Sequence, residues 1–219
     1  MSLTFSLAHL MGGIILLCGF LQLSQRRLAA MITLYQSEAL VLSAAALWQG
    51  FAQHELALYL TGLITFALKG VLLPWGLREI VQRFGMIRAV ETALPMAVSM
   101  ILGLALIGIA VLVVLPSTEA SLSLTREDLA IALSVVLLGL LLMIVRRNAL
   151  AQIIGFLSME NGLVLAAIGM PGMPFVAEFS VALLVLLTFL VVGVFLLRIR
   201  EHFDTLDLSG LEDIERRGR

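Results

Sequence analysis

Apolar residues fall in seven long runs separated by short polar segments. The runs cover roughly 3–23, 28–50, 56–77, 92–115, 127–145, 149–170 and 175–197. Each is close to the ~20 residues a helix needs to cross the hydrocarbon of a bilayer. Lipid offers no partner for backbone N–H and C=O groups, so a spanning run has to satisfy them within itself, as a helix does. The pattern predicts an all-α membrane protein of seven transmembrane helices.

Composition agrees. The chain is 61% hydrophobic and 13% charged, with a mean hydropathy of +1.08, whereas a soluble domain carries about 25% charged residues. The first run lacks a basic leader and ends at Arg26 and Arg27 without a small-residue cleavage site, so it reads as a retained helix. Net charge is −1, which leaves no basic footprint for nucleic acid. The single Cys18 lies in the first run, which excludes an intrachain disulfide and a cysteine metal framework.

The arginines set an expected orientation. Segments 24–27, 78–91, 146–148 and 198–219 hold twelve of the fourteen Lys and Arg residues. The intervening loops hold Arg126, and Lys69 lies inside a run. Basic loops stay cytoplasmic, so the N-terminus is expected outside and the C-terminus in the cytoplasm. Trp48 and Trp75 fall near opposite ends of their runs, as interfacial anchors would. Pro74 is placed to kink the third helix, and Pro171 and Pro174 mark an external turn. The tail 200–219 intersperses Leu206, Leu208, Leu211 and Ile214 among charges; it reads as a frayed terminus or as an amphipathic segment docking on a cytoplasmic partner.

The chain also resembles itself at an offset near ~122. Arg26-Arg27 with Glu38-Ala39-Leu40-Val41-Leu42 parallels Arg146-Arg147 with Glu160-Asn161-Gly162-Leu163-Val164. Downstream, Thr65-Phe66 and Gly70-Val71 parallel Thr188-Phe189 and Gly193-Val194, and Arg78-Glu79 parallels Arg200-Glu201. Helices one to three thus match helices five to seven, and the single span between them makes the two units parallel repeats. The expected organisation is a first unit over 1–90, a connecting helix over 91–120, a second unit over 121–199 and a cytoplasmic tail over 200–219.

Three ionisable residues stand deep in these runs: Glu38, Lys69 and Glu160. A charge at the bilayer centre costs about 2.5–3.5 kcal/mol on insertion scales, so such residues are functional candidates. At 1.5 Å per residue they sit ~15, ~13 and ~18 Å from the cytoplasmic ends of their helices. Glu38 and Lys69 lie on consecutive antiparallel helices and meet if their faces agree, forming a minimal proton relay. Val192 replaces Lys69 in the second unit, so Glu160 is expected either protonated or paired with another chain. The alternative for all three is helix packing, through a buried ion pair or through Ser158 and Asn161 hydrogen-bonding across helices. Glu178 lies one turn inside the external end of the seventh run, within reach of the headgroups. His9 and His54 are near the external surface, and Cys18 and the ten Met read as packing.

The segment Val145-Arg146-Arg147-Asn148 through Ile153-Ile154-Gly155 to Met159-Glu160-Asn161 resembles the K subunit of respiratory complex I and the C subunit of Mrp-type antiporters. The whole chain resembles the hydrogenase-4 component E family. The K-subunit carboxylates would align with Leu157 and with Phe189 or Phe66. Here Glu160 lies one turn beyond the first, and Lys69 stands three residues from Phe66. The resemblance implies a non-catalytic membrane-arm subunit of a group 4 [NiFe]-hydrogenase-type, complex I-like oxidoreductase in a bacterial or archaeal cytoplasmic membrane. It implies antiporter-like subunits, other membrane-arm subunits and a peripheral redox module as partners. Fe–S clusters and the NiFe centre would lie in those partners, with no metal or cofactor in this chain. Glu38, Lys69 and Glu160 would carry protons or sodium, supported by Ser158, Asn161 and Glu178. A structural spacer without ion conduction and a stand-alone small transporter are the rival readings.

Overall fold

A computed structural model of the chain describes residues 3–83, 90–117 and 123–169. Their regular elements are all helices. In chain order these are α1 Leu3–Ser24, α2 Leu28–Gln53, α3 Leu56–Thr65, a π-helical segment Phe66–Leu72, α4 Leu73–Arg83, α5 Met96–Ser117, α6 Ser123–Val145 and α7 Ala149–Gly169. Helix α3, the π segment and α4 run on as one span, so among the described residues six spans are long and apolar enough to cross a membrane. The protein is a multi-pass membrane protein. The seventh apolar run, Glu178, the downstream half of the second repeat and the charged tail lie outside the described residues.

The helix ends follow local chemistry. Asn148 caps α7: its Oδ1 accepts from the backbone N–H of Leu150 at 2.9 Å and of Ala151 at 3.3 Å, which satisfies donors that a helix start leaves orphaned. Helix α2 outlasts its expected end and closes at His54, whose left-handed φ of 55° turns the chain back as Glu55 N–H donates to the Gly50 carbonyl. Helix α5 starts at Met96 rather than 92, because residues 90–93 hydrogen-bond to neighbouring turns instead. Val90 N–H donates to Arg26 O at 2.7 Å, Ala93 N–H to Val145 O at 2.8 Å and Arg147 N–H to Glu91 O at 3.2 Å. An isolated bridge joins Thr92 to Arg146. Three of the arginine-bearing segments are therefore stitched together on one rim of the bundle. On the far rim, His9 near the start of α1 contacts Asp128 at 3.3 Å and Glu127 at 3.6 Å near the start of α6.

Helix α1 packs on α2, α5 and α6; α2 packs on α7 and on the third span; α6 and α7 make the closest pair. Glycine sets that last contact. A Cβ on Gly139 would stand 2.5 Å from the Met159 backbone nitrogen, and one on Gly162 2.8 Å from that of Val136. In lipid, small residues let backbones approach and gain dispersion contacts that bulkier ones would block. Ile101, Leu104 and Leu112 of α5 and Leu63 and Trp75 of the third span point outward, which costs nothing in hydrocarbon.

Candidate functional site

Pro74 decides how the third span carries Lys69. A proline four residues after Gly70 has no N–H to give to the Gly70 carbonyl, and its ring crowds that carbonyl. The chain widens upstream into the π segment, where Leu73 N–H reaches back five residues to Leu68 O. Gln36 of α2 supplies the missing donor: its Nε2 gives a hydrogen bond to Gly70 O at 2.9 Å. Arg78, on α4, holds Gln36 in turn through Nη2 to Oε1 at 2.7 Å. The expected kink at Pro74 is thus a wide turn that contains Lys69. π-Helical turns inside α-helices occur disproportionately at functional sites.

Glu38, Lys69 and Glu160 are all buried, at 0%, 0% and 1% exposure. They lie on three elements: α2, the π segment and α7. The Lys69 ammonium is 3.3 Å from Glu160 Oε1 and donates to Asn161 Oδ1 at 3.0 Å. Glu38 is held differently. Gln22 Nε2, from α1, donates to its Oε2 at 2.7 Å. The Ser158 hydroxyl lies 2.9 Å from Oε1 and 2.7 Å from Oε2. Lys69 and Asn161 remain within electrostatic reach of Glu38, so the two carboxylates belong to one cluster.

The sequence-level expectation for the pairing needs correcting. Lys69 forms its ion pair with Glu160, not with its near neighbour Glu38. Glu160 needs no second chain, because Lys69 of the same chain supplies its cation. The flexible four-carbon Lys69 stem makes this reach past α2 feasible. Ser158 and Asn161 fall inside the cluster as expected. Sequence reasoning missed Gln22 and Tyr35. Gln22 is an amide inside an apolar run, which was the available signal. Tyr35, one turn before Glu38, is fully buried with its hydroxyl unpaired among the described residues, and it senses both carboxylates. Both Glu160 oxygens, Asn161 Nδ2, Gln22 Oε1 and Thr65 Oγ1 also lack a hydrogen-bond partner there.

Arg146 was counted as one of the basic residues facing the cytoplasm, but it is buried. Gln22 and Leu23, in the last turn of α1, are buried, and carbonyls in a helix's last turn need donors from outside the helix. The Arg146 Nη2 supplies them, at 3.0 Å to Gln22 O and 2.9 Å to Leu23 O. Burial, and after it the nearby charge of Arg26, lowers the pKa of this guanidinium from its usual value.

The arrangement has clear chemical consequences. Two acids face one ammonium, so the cluster is electrically neutral only when one proton rests on a carboxyl group. Unpaired buried hydroxyl, amide and carboxylate atoms lie beside these groups, offering sites between which a proton can pass. The groups come from four elements, so a shift of one element changes which partner holds the charge.

No family model matches the chain, and no solved structure matches it. The chain is similar to the uncharacterized protein Rv0085 of Mycobacterium tuberculosis strain H37Rv, at 30% identity over 207 residues, which cover 93% of each chain.

Proposed function

This chain belongs to the family of the mycobacterial protein Rv0085, and from its buried charge cluster and its resemblance to the hydrogenase-4 component E family we propose that it is a charge-relaying membrane subunit of a complex I-like, group 4 [NiFe]-hydrogenase-type oxidoreductase. In this reading the chain has seven spans, in two parallel three-helix repeats joined by one helix. Its N-terminus is outside and its basic rim faces the cytoplasm of a bacterial or archaeal cell. Partner subunits carry out the redox chemistry, and antiporter-like subunits flank the chain in the membrane arm. Glu38, Lys69 and Glu160 pass charge between those neighbours and so contribute to proton or sodium movement.

The observation that supports this most is the cluster itself: three ionisable side chains in the bundle interior, on three elements, with one cation paired to one acid and within electrostatic reach of the second. A single ion pair needs one acid; the second gives the cation's charge another partner within reach. Burying such groups is costly, which charge transfer would account for.

The test uses the whole assembly in native membranes. Glu38→Gln and Glu160→Gln are expected to keep the complex assembled and its redox turnover measurable, while redox-driven ion movement falls at least tenfold. Full ion movement in both variants would leave the structural-spacer reading standing. That reading draws on the stitched rim and on the glycine contact of α6 with α7. Ion movement by the purified chain alone in liposomes would favour a stand-alone transporter.

A further inference from the structure

We infer that Gln36 is the residue that positions Lys69, by replacing the backbone donor that Pro74 lacks. The inference rests on the reading of Lys69 as a charge carrier for its functional meaning, though not for its geometry. Four observations converge. Pro74 cannot donate to the Gly70 carbonyl. Gln36 Nε2 donates to that carbonyl at 2.9 Å. Arg78 Nη2 fixes the Gln36 amide at 2.7 Å and also approaches Thr33 Oγ1 at 3.4 Å. Lys69, adjacent to Gly70, is buried against Glu160 and Asn161.

The logic is one of unsatisfied backbone. A buried carbonyl that loses its donor is costly, and the turn would shift to relieve the cost. Any change in the winding of this turn changes the direction of every side chain in it, because the angular step per residue differs. The Lys69 stem would then leave Glu160. Gly70 permits the arrangement sterically: a Cβ there would stand 2.9 Å from Leu40 Cδ2, so α2 lies close enough for Gln36 to reach. Gln36 is thus a positioning residue. It touches no carboxylate of the cluster, and it acts through the turn that presents the ammonium.

The test is a double-mutant cycle read by amide hydrogen exchange on the full chain in detergent micelles. Gln36→Leu removes the donor. Gln36→Glu keeps the size of the side chain and its contact with Arg78, but as a carboxylate it only accepts. Either substitution is expected to speed exchange over 66–73 about tenfold, the effect of losing one buried hydrogen bond. Pro74→Ala restores a backbone N–H, so adding Gln36→Leu to it is expected to change exchange less than twofold. Unchanged exchange in the Gln36 variants overturns the inference, as does an equal effect of Gln36→Leu with and without Pro74. In the assembled complex, Gln36→Glu is expected to lower the ratio of ions moved to electrons transferred, while subunit co-purification stays intact. An altered exchange pattern with an unaltered ratio would remove the charge-carrier role of Lys69 and keep the positioning role. Unaltered exchange removes the positioning role whatever the ratio.

Discussion

The two buried acids are held by opposite means. Among the described residues, Glu38 has hydrogen-bond donors and no direct cation: Gln22 and Ser158 converge on its two oxygens. Glu160 has a cation, with Lys69 at 3.3 Å from one oxygen, and no other donor reaches it among the described residues. Donors on fixed helices make a rigid, charge-neutral seat. A lysine on a flexible stem, presented by a wide turn, makes a seat that is strong only while the stem stays in place. In the proposed relay, Glu38 is the stationary acid and Glu160 the variable one.

The sharpest test is to remove the cation. Lys69→Met leaves Glu160 buried with neither ion pair nor hydrogen bond. Breaking a buried pair in this way costs about 3–5 kcal/mol, readable as a lowered midpoint of denaturant unfolding in micelles. Adding Glu160→Met should recover most of the loss; a double variant as unstable as the single one would show that the pair was not the source of the cost. The next effect comes from Arg146→Ala, which strips donors from the buried end of α1 and should cost about 2–3 kcal/mol. It loosens the helix that carries Gln22, so its cost is expected to be non-additive with that of Ser158→Ala and additive with that of Lys69→Met. Additivity in both cases would separate Arg146 from the Glu38 seat. Ser158→Ala alone should cost about 1–2 kcal/mol, by removing the hydroxyl that touches both Glu38 oxygens. Smallest is Glu38→Gln, where an amide still meets Gln22 and Ser158; unfolding should shift by less than about 1 kcal/mol. A loss as large as that of Lys69→Met would erase the distinction between the two seats.

The spans were legible because run length alone decides them in lipid: Glu127–Val145 matches the run expected from sequence, and α7 ends within a residue of its expected end. The three deep ionisable residues were legible for the same reason, since an isolated charge stands out against Leu and Val. Their pairing was not. Adjacency along the chain favoured Glu38 for Lys69, but pairing depends on side-chain direction, and the π turn resets that direction in a way that proline alone does not announce. Arg146 misled in the same manner. Its type and position fit a solvent-facing cytoplasmic arginine, and only the carbonyls in the last turn of α1, invisible to hydropathy, draw it inward. Gln22 was passed over because a neutral amide in an apolar run carries less signal than a charge.

The contact at Gly139 has a bearing on how the chain can vary over time. A single methyl group there would strike the main chain of Met159, one residue from Glu160 and one from Ser158, so a residue with no side chain guards the placement of both acid seats. Descendants of this sequence are free to exchange Leu, Val and Ile over the outer faces of α5 and the third span, where the neighbour is fluid lipid. At position 139 a replacement has to be accompanied by a retreat of α7, and any such lineage should show altered residues at 158 and 160 as well.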